Sequence, residues 1–149
     1  KRGEIMTIEK TMAQGFGKGE LYDVTKWINH MPVDAEITVE DENTTAGTRA
    51  VAIQLKDYLG NDMAVRSTIM AYIAADANGD AICTTAFDGI ANGTDGEVIE
   101  LTTGSVMWLT SEADGDIDIT ISETEAVTGY LILVMPNGEL KGGDAVSLT

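Results

Sequence analysis

Two stretches near the C-terminus constrain the fold more than any other part of this chain. Residues 117–122 (IDITIS) alternate apolar and polar side chains strictly, and residues 130–135 (YLILVM) are apolar without a break. Alternation puts every isoleucine on one face of a strand and every polar group on the other, so that strand belongs to a sheet with one wet face. An unbroken apolar run closed by Pro136, Asn137 and Gly138 describes a strand covered on both faces and ended by a turn. Joining 105–111 to 117–122 across EADGD, and 130–135 to 139–148 across PNG, predicts two consecutive β-hairpins.

The preceding residues carry the same period. Ile37 and Val39 alternate with Glu36, Thr38 and Glu40 from Ala35 onward, and Val51, Ile53 and Leu55 share one face of a strand over 49–55. A turn at 57–62 then leads into residues 63–75, where Val65, Ile69, Ala71 and Ile73 keep the period of two. The pair reads as a third hairpin. Residues 76–96 hold successive turn signals, DANGD, FDG and NGTDG, with Ile82 and Ile90 as the anchors. They read as a loop that either crosses between sheets or binds something. Residues 97–103 form a further strand. About seven or eight short strands at this spacing, with 16 glycines and two prolines, predict an all-β antiparallel sandwich. Trp108, or its neighbours Met107 and Leu109, should point between the sheets.

Composition narrows the chemistry. At 149 residues the chain supports one domain with an appendage. A formal net charge of −16 argues against nucleic acid and against an anionic membrane surface, since phosphate contacts need clustered Lys or Arg. The single cysteine, Cys83, allows no internal disulfide, and the single histidine, His30, makes a His-based metal site or catalytic triad a poor reading. No apolar run reaches the length that spans a bilayer, and no signal peptide is read, so the expected setting is a reducing cytoplasm or an assembly made there.

The charge is unevenly placed. Residues 1–30 hold five Lys or Arg against four Asp or Glu, a net +1, which leaves four basic and 21 acidic residues, a net −17, on 31–149. The division expected is a docking arm over 1–34 and a sandwich over 35–149. Three glycines between Gly15 and Gly19 break any helix or central strand there. After them, Leu21, Val24, Ile28 and Met31 fall at helical spacing, which predicts a short amphipathic helix over 20–30 ended by Pro32. Such a helix needs a surface to pack on: the end of the sandwich, or a partner. The arm's candidate partner-binding residues are Lys10, Phe16, Lys18, Tyr22, Lys26 and Trp27.

No catalytic or cofactor motif emerges. Asp114, Asp116 and Asp118, with Glu125 eleven residues after the first, imitate a calcium loop. The imitation lacks the glycine at its sixth position, where Ile119 stands, and its carboxylates read better as the wet face of a strand. Asp76, Asn78 and Asp80 make a weaker copy. The glycines at 15–19 lack the spacing of a phosphate loop, and Cys83 reads as a small buried residue. The expectation is no enzyme, no cofactor and no resident metal.

Three segments resemble structural proteins of tailed bacteriophages: residues 51–74 (VAIQLKDYLGNDMAVRSTIMAYIA), 90–121 (IANGTDGEVIELTTGSVMWLTSEADGDIDITI) and 130–140 (YLILVMPNGEL). The shared pattern is a strand carrying QLKD, a GTDG turn, an SEADG turn before an alternating strand, and a PNG hairpin. It covers about residues 50 to 149. The resemblance implies an immunoglobulin-like body in a virion, and size favours a capsid decoration or cement protein. It further implies the major capsid protein as partner, a dimer or trimer of this chain, and a place on the capsid exterior. A neck, tail or head-fibre component is the alternative within the virion. A module that recognises a host surface through residues 76–96 is the alternative outside that role.

Overall fold

The structure is a computed structural model, and it describes residues 30–149. Nine strands form two antiparallel sheets. They are β1 (Asp34–Val39), β2 (Thr48–Lys56), β3 (Thr68–Ala74), β4 (Gly89–Asn92), β5 (Glu97–Thr102), β6 (Val106–Thr110), β7 (Asp116–Ser122), β8 (Val127–Val134) and β9 (Leu140–Leu148). The smaller sheet has the order β1-β2-β7-β4 and the larger β5-β6-β3-β8-β9. The expected all-β antiparallel sandwich is therefore the fold, with nine strands among the described residues where the sequence suggests seven or eight. Residues 20–29 of the expected helix over 20–30, and the residues Lys10, Phe16, Lys18, Tyr22, Lys26 and Trp27, lie outside the described residues.

Period-two patterning builds the core. Val51, Ile53 and Leu55 of β2 and Ile117, Ile119 and Ile121 of β7 are buried, and they face Ile69, Ala71 and Ile73 of β3, Met107 and Leu109 of β6, and Leu131 and Leu133 of β8. The register pairs like with like, Val51 with Ile119 and Ile53 with Ile117 in one sheet, Ala71 with Met107 and Leu133 in the other. Each sheet thus presents a continuous apolar surface, and two such surfaces pack face to face.

Two of the three predicted hairpins are corrected. Residues 105–111 and 117–122 do not pair: β6 lies beside β3 and β5, whereas β7 lies beside β2 and β4. The intervening turn closes locally, with the Asp116 carbonyl accepting from the Glu112 N–H at 2.8 Å. Beyond it the Ser111 N–H turns to Ser67 and the Leu55 N–H reaches Gly115. Had the two arms paired, both apolar sets would share one sheet face; on opposite sheets they bury each other. The expected hairpin of 49–55 with 63–75 fails likewise. Residues 63–67 are not strand; the chain bridges Lys56 to Asp62, buries Met63 at the end of the sandwich, and crosses to the other sheet before β3 begins. The β8–β9 hairpin is present, closed by Gly138 at φ 88°.

The segment 76–96 is also more structured than its turn signals suggest. It contains β4, and its anchors are Phe87 and Ile90; Ile82 is exposed. Phe87 is held where Gly104 of the β5–β6 turn presses on its backbone, in a place that admits no Cβ.

Candidate functional site

The two outer faces of the sandwich differ in chemistry. On the smaller sheet, β2 directs Ala50, Ala52 and Gln54 outward, and β7 directs Asp116, Asp118, Thr120 and Ser122 outward, opposite their buried neighbours. The register sets Ala52 against Asp118 and Gln54 against Asp116. This is a hydrated, acidic face, as the alternation of residues 117–122 requires.

The larger sheet is different. Ile99 of β5 lies opposite Trp108 of β6, Trp108 opposite Met70 of β3, Met70 opposite Val134 of β8, and Val134 opposite Leu140 of β9. One row of five apolar side chains therefore crosses all five strands on the solvent side. Ile99 is 60 % exposed, Trp108 40 % and Leu140 45 %. Leu101, 54 % exposed, adds to the row where a bulge interrupts β5. The next rung toward the β3 N-terminus is Glu97, Thr110 and Thr68, with the two threonine hydroxyls 2.9 Å apart. Among the described residues of β5, β6, β3 and β8, Glu97 is the one charged side chain on this face. Scattered exposed hydrophobics are ordinary, whereas this row is contiguous across the sheet.

The far half of the same face is already covered. Residues 75–82 fold over it, fixed by Asp76, whose Oδ1 accepts from the N–H groups of Asn78 and Gly79, and by the Ala75 N–H donating to Ala81. The Tyr72 hydroxyl donates to the Gly79 carbonyl at 2.7 Å, and Gly79 sits at φ +80° so close to that hydroxyl that no side chain fits. Burial, with the charges of Asp76 and Asp80, raises the Tyr72 phenol above its usual pKa. Beneath the loop Ile132 is fully buried, which is why the 130–135 run is apolar on both sides. The weak calcium-loop copy at 76–80 thus serves as a tie that closes half the face and leaves the Trp108 half open.

The β5 edge is fastened to its neighbour by side chains. Asn92 of β4 accepts from the Val98 N–H at 2.6 Å, and the Glu100 carboxylate accepts from Ile90 N–H at 3.0 Å and Gly104 N–H at 2.7 Å. Sequence reasoning missed Glu100, because an isolated glutamate in an alternating strand carries no local signal. It also missed the exposed row. A signal existed: residues 106–109 (VMWL) are apolar without alternation, the pattern that marks 130–135 as apolar on both faces. Trp108 points outward, and Met107 and Leu109 point between the sheets.

A further group of acidic side chains lies at one end of the smaller sheet. An open depression there is lined by Gln54, Asp62, Met63, Asp95, Glu112 and Asp114. Burial, followed by the charges of Asp118, Asp95 and Asp114, raises the Asp116 carboxyl above the usual range. No set of three or more His, Cys, Asp or Glu among the described residues is arranged to hold a metal ion. Cys83 is half-buried, its sulfur 3.8 Å from the Thr128 carbonyl, and His30 stands exposed at the start of the described chain.

No family model matches the chain, and neither does any curated protein. Among solved structures it is similar to the cohesin module from a Clostridium perfringens family 33 glycoside hydrolase. That likeness is 14% in sequence identity, covers 78% of this chain and 93% of that one, and has a TM-score of 0.40.

Proposed function

We propose that this chain is a non-catalytic structural protein that works by protein–protein contact through the outer face of its five-stranded sheet. The observation that carries this reading is the row Ile99, Trp108, Met70, Val134 and Leu140, exposed to solvent on one side of a sandwich whose other side is acidic and polar. Burying such a row removes apolar area from water without stranding a charge, and a tryptophan within it is the kind of residue that dominates protein interfaces.

The narrower form of the proposal is a decoration or cement protein on the capsid exterior of a tailed phage, with residues 1–34 as docking arm and the major capsid protein as partner. Its support is the resemblance over residues 50–149 and the charge split between residues 1–30, net +1, and residues 31–149, net −17. An acidic body stays hydrated while a near-neutral arm bearing Phe16, Tyr22 and Trp27 loses water more readily on contact.

Co-sedimentation of the full chain with phage head shells tests both levels. Trp108→Asp is expected to weaken pelleting at least about tenfold, while Ala52→Asp on the opposite face leaves it unchanged. Equal pelleting of both variants and the parent would remove the face from the function. Absence of pelleting by the parent would remove the capsid from it.

A further inference from the structure

The shape of the open apolar surface narrows what can cover it. The row from Ile99 through Trp108, Met70 and Val134 to Leu140 runs across the strands, and five strands at about 4.8 Å spacing make it roughly 20 Å long. Along the strands it is one rung deep, roughly 7 Å. On one side lies the rung of Thr68 and Thr110. On the other side the next rung carries the strap over 75–82. Gly79 of the strap lies against Tyr72 of β3 and Ile132 of β8, and the Ala77 carbonyl oxygen stands 3.0 Å from where a Cβ on Gly142 of β9 would sit. The strap therefore rises over three of the five strands as a wall along the row.

That wall discriminates between partners. A second sheet packed face to face needs a gap of about 10 Å held over a broad area in both directions, and the strap fills that gap over β3, β8 and β9. A single rod laid along the row meets no obstacle. An α-helix is about 10 Å across with its side chains and rises 1.5 Å per residue, so roughly 14 residues, or four turns, match the length of the row. Apolar residues at i, i+3, i+4 and i+7 of such a helix form one stripe, as a surface one rung deep requires.

Charge selects what flanks the stripe. Asp80 in the strap, Glu97 beside the threonine rung and Glu139 next to Leu140 are exposed around the row. The cations nearest to it are engaged, Arg66 with Glu112 at 2.9 Å and Lys141 with Asp34 at 3.1 Å. Lys or Arg on both sides of the stripe complements this border, and Asp or Glu there is repelled by it.

We infer that the open row receives an amphipathic α-helix of the partner, about four turns long, lying across the strands with basic residues on both sides of its apolar stripe. This rests on the reading of the face as a contact surface, and it specifies what the partner presents there.

Two synthetic 14-residue helical peptides with the same leucine stripe, one flanked by Lys and one by Glu, test the inference when each is labelled and titrated with the full chain by fluorescence anisotropy. The Lys-flanked peptide should bind with a Kd of the order of tens of micromolar, and the Glu-flanked peptide at least about tenfold more weakly. Trp108→Asp should weaken binding of the Lys-flanked peptide at least about tenfold although it adds a negative charge, while Ala52→Asp on the opposite face leaves it unchanged. Circular dichroism confirms that each variant is folded. No binding of the Lys-flanked peptide below about 1 mM, equal binding of the two peptides, or equal binding by Trp108→Asp would each overturn the helix as occupant. Binding to Trp27→Asp but not to the parent would assign the row to the chain's own residues 20–29 and overturn it as well. The two levels fail separately. Shell pelleting that depends on Trp108 while neither peptide binds keeps the face and removes the helix, whereas pelleting indifferent to Trp108 removes the face itself.

Discussion

Asp116 shows what one exposed-strand carboxylate does in so acidic a body. Its pKa is raised in the folded protein by burial and by Asp118, Asp95 and Asp114. A carboxyl with a raised folded pKa favours folding while protonated, and that contribution is lost as pH rises through the folded value. Asp116→Asn should therefore raise the melting temperature at pH 7, with the advantage shrinking toward pH 3; a thermal melt series across that range checks it. Asp34 has the opposite sign. The Ala35 N–H and Lys141 hold its carboxyl below the usual range, against the effect of burial, so its contribution is present above the unfolded pKa and fades as pH falls. Glycines give a second contrast at this scale. Gly104, at φ 63°, lies against the Phe87 backbone, whereas Gly138, at φ 88°, has nothing within 4 Å of where a Cβ would sit. Gly138→Ala should cost about 1 kcal/mol in urea denaturation, the left-handed backbone penalty alone. Gly104→Ala should cost more than about 4 kcal/mol or prevent folding, because a backbone carbonyl cannot swing aside.

At the scale of elements, β5 is the sheet edge that would otherwise be open to another strand. Exposed edge strands template unwanted pairing, and natural sheets protect them. Here Asn92 occupies the Val98 N–H, and Glu100 ties β5 to β4 and to its own turn. Glu100→Ala is expected to cost about 2 kcal/mol, since two N–H groups lose a charged acceptor. Glu100→Gln, which keeps an acceptor oxygen, should cost less than half of that. Urea denaturation ranks the two. How much of this was legible depends on what alternation encodes. A period of two tells which side chains share a face, so the core residues of β2, β3, β7 and β8 were readable, including the doubly covered Ile132. It does not tell which strand lies alongside, and the partition of β6 and β7 between sheets was hidden for that reason. Phe87 was hidden because turn-rich surroundings give an isolated aromatic no period to belong to. The Trp108 row needed a register across five strands, although the unbroken apolar stretch 106–109 was a hint within one.

At the scale of the whole molecule the two sides have different solvents. One sheet turns Asp116, Asp118 and small side chains to water, and the other turns Trp108 and Ile99 outward. Because the body is strongly negative, its own charges repel one another in the compact state. Raising sodium chloride from about 10 to 300 mM shortens the screening length from roughly 30 Å to below 10 Å and should raise the melting temperature by a few degrees. A melting temperature that falls with salt would show that specific ion pairs such as Lys56 with Asp62 outweigh the general repulsion.

The crossings between sheets have a kinetic consequence. From β2 to β8 the chain changes sheet at every connection except β5–β6, so Val51 must find Ile119 and Ala71 must find Leu133 before either sheet exists. Closing such long loops is entropically costly before any contact rewards it, which places folding in the range of about milliseconds to seconds. Neither sheet can form from a contiguous stretch of sequence. A nascent chain lacking β7 and β8 therefore cannot complete the core, and the body becomes native only after almost all of it has left the ribosome.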